Sequence, residues 1–390
     1  MKKYDVVVIG NGPIGLSTAT LLAKQNIKVA ILCGRKHDKI LNSPARLFAI
    51  SHGSRQILKQ MNVNSTLEAY AQNINHIRIV DDDSHAKVDF FPNDVGLNNF
   101  GYMIDENILI STLQENVMQL NIDIYDSYEN FSIDFDRFFA KISLNNQILC
   151  ASLVIAADGR NSTVRNKLNI QTQILNYNQT AIVIDIRHSN WPHNGVAIEK
   201  FTPNGPFAIL PKYEENGTTS SLVWVERGNI TYESLCALNE RILKDLILRK
   251  LNDYLGEIEL ISQPLLYSLT LVQSQHRYKE RVVLVGDAAQ GVHPIAGQGF
   301  NLGLRDVFEL YNRVCNEFSI GLDIGSQLFL KNYSKSRELD VSKMICSTTM
   351  LNYLFANDIL PIKLMRRLGL KVFDKLKFLK KVSMKYASGI

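Results

Sequence analysis

The residues best suited to chemistry lie at positions 282–306, VVLVGDAAQGVHPIAGQGFNLGLRD. Residues 282–285 predict a short buried strand that runs directly into Gly286-Asp287, and a glycine-punctuated loop then predicts a helix opening near Phe300. A carboxylate at a strand end can accept hydrogen bonds from two hydroxyls of a ribose or ribityl chain. Gly297 and Gly299 let backbone N–H groups approach a flat ring closely. The order strand, Asp, Pro294-containing loop, helix suits a clamp for a flavin.

A second phosphate-binding pattern stands at the other end of the chain. Residues 4–9 form an apolar strand, Gly10-Asn11-Gly12-Pro13-Ile14-Gly15 turns, and a helix is expected over 16–24. In such a turn Gly10 permits the tight bend, Gly12 bares the backbone to a pyrophosphate, and Gly15 brings helix and strand together. The positive end of the helix dipole favours the diphosphate. The following strand, residues 28–33, would ordinarily end in an acid that holds the adenosine ribose, but Cys33 stands there. A thiol cannot accept two charge-assisted hydrogen bonds, so ribose binding is expected to be weaker or to pass to Arg35, Asp38 or the backbone. Arg46, in a turn-rich stretch, could neutralise the diphosphate from a second side.

A third junction ends the strand of residues 153–157. Asp158-Gly159-Arg160 precede a short helix with Ser162 as its cap and Arg165 in its first turn. Three strand-to-glycine/aspartate junctions in one chain point to one shared ligand.

Between them the periodicity predicts a hairpin over 74–91 broken at Asp81-Asp82-Asp83, a helix over 105–120, and strands over 181–187, 196–201, 207–211, 220–225 and 265–272. A helix over 232–251 interrupts these strands, and helices continue past Ser319. The expected architecture is α/β: a Rossmann-like cofactor domain (residues 1–72, 101–175 and 276–320) interleaved with a mostly antiparallel substrate domain. The latter has a hairpin at 73–100 and a sheet at 176–275, and residues 321–390 form a C-terminal helical region.

At 390 residues, 46% hydrophobic and 21% charged, the chain can bury a full core. No stretch approaches the ~20 apolar residues of a membrane span. Five widely spaced cysteines without a C-x-x-C pair suggest reduced thiols in a cytoplasmic setting. The eight histidines are scattered, His188 and His193 flanking a Trp-Pro loop, and no metal site is expected. Residues 361–390 carry nine cations against Asp374, a net +8, leaving −3 for the rest of a chain whose total is +5. With a slightly acidic body and no nucleic-acid motif, a nucleic-acid partner is not expected.

The three junctions, in this order, resemble the fingerprint of the FAD-dependent aromatic hydroxylases, the group A flavoprotein monooxygenases. The string His293-Pro294-Ile295-Ala296-Gly297-Gln298-Gly299-Phe300-Asn301, the helix start Asp105-Glu106-Asn107, Ile209-Leu210-Pro211, Val223-Trp224 and the Tyr333/Arg337 pair are similar to the ubiquinone-biosynthesis hydroxylases. The resemblance covers residues 4–375. It implies FAD as cofactor, NAD(P)H as transient reductant without a domain of its own, and hydroxylation of a polyprenyl phenol by O2 through a flavin hydroperoxide. It implies that Gly10, Gly12, Pro13, Ile14 and Gly15 cradle the pyrophosphate, with Cys33, Arg35 and Arg46 near the adenosine and diphosphate. Asp158 and Gly159 would serve FAD and NAD(P)H, and Gly286 and Asp287 the ribityl chain or flavin-side ribose. The loop with His293, Pro294, Gly297 and Gln298 would lie at the reactive edge of the ring, followed by Gly299, Phe300 and Asn301.

Two positions depart from the family pattern, Cys33 and Gln290, where relatives carry His. A helix N-terminus near Phe300 would stabilise negative charge on a reduced flavin without any titrating side chain, and no general base is evident. Alternatives are hydroxylation of a small soluble aromatic compound, or a non-catalytic flavoprotein scaffold. The Trp-x-Trp-x-Ile-Pro signature of flavin halogenases is absent.

In the tail, Met365, Leu368, Val372, Leu376 and Leu379 recur at helical steps. Such a stripe ordinarily packs into a core, but each cation near an anionic bilayer contributes up to ~1 kcal/mol. The expectation is a protein peripheral to the inner face of a membrane, where a polyprenyl phenol resides. Other ubiquinone-biosynthesis proteins are possible partners.

Overall fold

The computed structural model describes residues 1–34, 46–81, 86–126, 131–144, 147–189, 192–231, 234–235, 239–251, 255–293, 295–355 and 360–390, the side chains of 296 and 360–367 excepted. A parallel sheet runs in the order Val282–Leu284, Gln147–Ala156, Lys2–Ile9, Val29–Leu32, Asp123–Tyr125, and Tyr278–Lys279 adds an antiparallel edge. Its strands read as near-continuous apolar runs because both faces are covered. Val6 and Val8 point to the helices Pro13–Ala23, Glu106–Gln119 and Gln298–Ser319, while Val7 and Ile9 point to a second cluster with Phe131, Val164 and Leu168.

The second sheet is ordered Gln290–Gly291, Leu265–Ser274, Thr172–His188, Thr219–Arg227, Gly205–Pro211, Val196–Thr202, His76–Asp81, Lys87–Phe90. All pairs are antiparallel except Val196–Thr202 with His76–Asp81. The period-2 alternation assigns its faces. Ile182, Ile198, Phe207, Leu222 and Trp224 pack under the helix Glu240–Leu251. On the opposite face Ile77, Ile79, Ala197 and Leu210 pack with Leu47 and Ala49 from the strand Leu47–Ser51. This inner face roofs the cofactor side of the molecule. Leu47–Ser51 itself belongs to a small third sheet with Gly101–Asp105 and Gln72–Asn73.

Several boundaries differ from the sequence reading. The first helix begins at Pro13, not Leu16, because proline at the first helical position costs no hydrogen bond. The long helix after the flavin loop begins at Gln298, capped by Gly297 in the left-handed conformation (φ 61°), two residues before Phe300. Asp81 does not sit in a turn but ends a strand, fully buried, and residues 82–85 lie outside those described. Gln290–Gly291 leaves the cofactor segment to pair with Leu265–Ser274, so the loop after Asp287 passes from one sheet to the other.

The tail divides into Gln327–Phe355, Leu360–Lys375 and Lys377–Ser388. Its apolar stripe is not core. Leu368, Val372, Leu376 and Leu379 are 45–65% exposed, whereas Leu370, Phe373 and Met384 pack beneath the roof. The last turn docks tightly: a Cβ on Gly53 would lie 2.5 Å from the carbonyl oxygen of Gly389. Among the described residues no helix is long and apolar enough to cross a membrane.

Candidate cofactor and substrate site

The N-terminal glycines divide their tasks by geometry. Gly10 has φ +121° and lies so close to Ala157 that a Cβ would come within 2.3 Å of its carbonyl oxygen. A Cβ on Gly15 would lie 2.0 Å from the carbonyl oxygen of Gly10. Gly12, in contrast, faces open space, with no atom within 4 Å of a Cβ, and caps the first helix without any side-chain hydrogen bond. Its bare backbone and the uncapped N–H groups form a cradle for an anion.

The contact of Gly10 with Ala157 and Asp158 brings the second junction to the first. Asp158 Oδ2 accepts from the N–H of Val164 at 3.0 Å, while Oδ1 is buried without a hydrogen-bond partner. Burial raises its pKa against the opposing hydrogen bonds from Ser162 and Val164. Gly159 next to it has φ +82° and open space before it.

The third junction is tied in by two arginines. Arg165 donates to the carbonyls of Ala288 and Arg160, both at 2.9 Å. Arg160 lies 3.7 Å from Asp287 Oδ2 and donates to the carbonyls of Thr270 and Val292 at 3.3 Å. Its guanidinium passes so near Gly291 that any Cβ there would lie 2.6 Å from Nε. Ile14 completes the closure by packing against both Gly286 and Gly303. Gly12, Asp158 and Asp287 therefore border one site.

Asp306, wholly buried, holds the Gly286-Asp287 turn in place. Its Oδ2 accepts from Gly286 N–H at 3.1 Å, Gln290 Nε2 at 2.7 Å and Arg277 Nη1 at 3.4 Å; its Oδ1 accepts from Arg337 Nε at 2.7 Å. Burial alone would raise this carboxyl, but Arg277 and Arg337 outweigh it and lower its pKa. Gln290 is thus a neutral donor to a buried carboxylate, a role that needs no titration. The sequence shows Asp306 and Arg337 only as parts of two short motifs; their pairing across 31 residues appears only in the fold.

In the flavin loop, His293 is fully buried. Nδ1 accepts from Ile295 N–H at 3.3 Å, which leaves the Nε2 proton to be donated to Gln179 Oε1 at 3.3 Å. Burial and the nearby Arg160 push its pKa down to about 4, so it is neutral at working pH. Gln179 also meets Asn352, and Tyr177 stands edge-on to the imidazole at 4.9 Å. His293 is thereby a positioning residue that fastens the loop to the roof. The Asn301 side chain is likewise engaged, with Ser51 N–H at 2.9 Å and the Ala49 carbonyl at 2.8 Å, and only its backbone remains for a ligand. Gln298 and Gly299 open the helix, with space before Gly299 limited only by Val292 at 3.9 Å. Phe300 packs against Phe48, with ring centroids 4.8 Å apart and the planes tilted by 31°. Pro294 and Arg35 lie outside the described residues.

Cys33 lines a small cleft with Asn11, Leu16, Ile31, Gln114, Val117 and Ile124. Burial, with a smaller effect of Asp126, pushes its thiol up to about 12, so it offers a neutral, weakly polar wall. Gln114 brings an amide into the same cleft. Its place among the apolar positions of its helix carries no sign of this role. Arg46 pairs with Glu106 at 3.2 Å and lies over Phe48 and Tyr267, at the gap between cofactor side and roof.

These features fit FAD: an uncapped helix start beside bare glycine for the diphosphate, a half-exposed carboxylate at Asp287 for hydroxyls, an orphaned acceptor at Asp158, and a second uncapped helix start beyond Gly297 for the ring. A family model described as the FAD binding domain matches residues 3–348. The chain belongs to this FAD-binding family. It is 35% identical to the ubiquinone hydroxylase UbiL of Rhodospirillum rubrum, over the whole chain and 90% of that protein. It is 27% identical to the mitochondrial ubiquinone biosynthesis monooxygenase COQ6 of Rattus norvegicus, over 99% of this chain and 91% of the relative. Its fold is that of the p-nitrophenol 4-monooxygenase PnpA of Pseudomonas putida, with a TM-score of 0.81 and 19% identity over 100% and 99% of the two chains. As in this family, FAD is the cofactor. Among the described residues no cluster of metal ligands occurs.

Proposed function

We propose that the protein is an FAD- and NAD(P)H-dependent aromatic monooxygenase that hydroxylates the ring of a polyprenyl phenol in ubiquinone biosynthesis. The single observation that carries this reading is the convergence of Gly12, Asp158 and Asp287 on one site beneath an apolar roof. Bound FAD, reduced by NAD(P)H, supplies activated oxygen from O2. The chain's own residues bind, orient and exclude water. The glycine turn holds the diphosphate, Asp287 the ribityl hydroxyls, and the start of Gln298–Ser319 the negative edge of the ring. His293 and Asn301 keep the loop and the strand Leu47–Ser51 in register with that helix.

The apolar roof favours a prenyl phenol over a soluble aromatic acid. A carboxylate substrate would call for a free cation, and Lys212, at the roof's margin, is already neutralised by Asp185 at 2.5 Å. The exposed Leu368, Val372, Phe378, Leu379 and Val382, interleaved with Lys371, Lys375, Lys377 and Lys381, suit an anionic bilayer surface, from which such a substrate is drawn.

Two measurements test this. NADH oxidation by the holoenzyme is expected to rise on addition of a prenyl phenol and not of a benzoate; stimulation by the benzoate alone would overturn the substrate class. Co-sedimentation with vesicles containing anionic phospholipid is expected to fail for a Lys371→Glu/Lys375→Glu/Lys381→Glu variant, and unchanged sedimentation would remove the membrane role.

A further inference from the structure

Glu199 lies in the middle of the strand Val196–Thr202, on the roof face turned to the cofactor site. The alternation is explicit. Val196 and Ile198 join the cluster under the helix Glu240–Leu251, and Lys200 Nζ donates to the carbonyl of Lys250 on that helix. Ala197 packs with Leu47 and Ala49 on the other side, and Phe201 stacks on Phe355 at 3.8 Å. Glu199, between them, shares their face.

That face reaches the flavin loop. Ala49 lies 3.1 Å from where a Cβ on Gly297 would stand, and Gln179, on the same face of its own strand, holds His293. Ile79 and Ala208 flank Glu199 in register on the neighbouring strands. Among the described residues Glu199 has no ion pair. Asp81, in register with Phe201, is the titratable side chain that the strand His76–Asp81 adds to this face. Gly205–Pro211 presents Ala208 and Leu210, Leu47–Ser51 presents Leu47 and Ala49, Gln327–Phe355 presents Phe355, and Leu360–Lys375 presents Leu370 and Phe373 among its described side chains. Among the described residues the carboxyl set in this panel has no structural partner, and neither the cofactor cradle nor the Asp306 network uses it.

We propose that Glu199 is a catalytic residue of the hydroxylation, whose carboxylate accepts the substrate's phenolic O–H and takes its proton as the ring is oxygenated. The inference rests on the phenol-hydroxylase reading given above. As the O–H bond breaks, the proton passes to Glu199 and the oxygen lone pair enriches the ring carbon that forms the new C–O bond. One oxygen atom of O2 enters the ring and the other leaves as water, with both electrons drawn from NAD(P)H. The ring carbon then loses its hydrogen as a proton, and Glu199 returns its own proton to the substrate oxygen. Burial pushes Glu199 up to about 7, which suits a group that must both take and release a proton near neutrality.

The test uses FAD-loaded protein with a phenol bearing a ten-carbon prenyl chain and with its methyl ether, which has no proton to give. Wild-type kcat/KM is expected to rise with pH to a plateau above about pH 7. Glu199→Gln is expected to lose that limb and about 100-fold in kcat at unchanged FAD content, and Glu199→Asp to restore part of both. Turnover by Glu199→Gln within twofold of wild type, with the same pH profile, would overturn the proposal. Binding gives an independent readout should the variant lose FAD. Wild type is expected to prefer the phenol over the ether by about tenfold above pH 7 and to lose the preference below pH 5; equal, pH-independent affinities would overturn it. Failure of the wild type to respond to any phenol would instead strike the phenol-hydroxylase reading itself.

Discussion

Two carboxylates, Asp306 wholly buried and Glu199 partly so, are treated in opposite ways. Asp306 beneath the cofactor turn receives four donors, two of them arginines, and its pKa is lowered. Glu199 in the roof has no ionic partner among the described residues, and its pKa is raised to about 7. The first arrangement holds a backbone turn at fixed geometry; the second leaves a group ready to exchange a proton. Compensated charge marks the scaffold of this molecule, and uncompensated charge marks its reactive wall.

The strongest challenge to the scaffold side is Gly15→Val. With the Cβ position 2.0 Å from the Gly10 carbonyl, helix and strand must separate, and the purified protein is expected to lack flavin absorbance altogether. Next comes Asp306→Asn, which leaves buried Arg277 without its carboxylate and Arg337 with Asp340 alone. A loss of about 3–5 kcal/mol is expected in denaturant unfolding. A loss below 1 kcal/mol would show that the network is not what holds the turn.

The reactive wall responds with the opposite sign. Folded Glu199 keeps its proton up to about pH 7, whereas the unfolded chain releases it near 4.5, so its contribution to stability falls as pH rises through that window. Glu199→Gln is expected to stabilise the protein by about 1–3 kcal/mol at pH 8 while it damages turnover. His293 behaves inversely. It is neutral when folded down to about pH 4 but protonates near 6.5 when unfolded, so stability is lost as pH falls from 6.5 to 4. Unfolding midpoints of Glu199→Gln and His293→Asn across pH 4–8 separate the two slopes, and parallel curves would contradict both assignments.

The smallest effect concerns the adenosine end. Cys33→Glu is expected to slow FAD release by up to about tenfold, the worth of one charge-assisted hydrogen bond. Faster release on stopped-flow dilution would show that the cleft lined by Cys33 and Gln114 requires a neutral wall.

Much of the cofactor side was legible in the sequence because its demands are local. The bend at Gly10, the close pack at Gly15, the cap at Ser162 and the carboxylate at a strand end each follow from residues a few positions apart. The partners of those motifs were not. Arg160 over Gly291, Asp306 with Arg337, and Gln179 with His293 are separated by 31 to 131 residues and join only when the two sheets close. Glu199 was hidden for a different reason: alternation along its strand places it on a face, but only the packed roof reveals that this face meets the flavin loop. The tail stripe left core packing and surface contact both open, because helical periodicity reports an apolar face without saying what covers it; Leu370, Phe373 and Met384 took the core positions.

The claim on which the rest depends is that one FAD, held jointly by the three junctions, delivers oxygen from O2 to a phenol beneath the roof. Its most direct test is turnover of a prenyl phenol by the holoenzyme with NADH under 18O2, followed by mass spectrometry of the product. The expected product carries one 18O atom in a new ring hydroxyl. A hydroxylated product whose new oxygen comes from water, or NADH consumption with no oxygenated phenol, would contradict it.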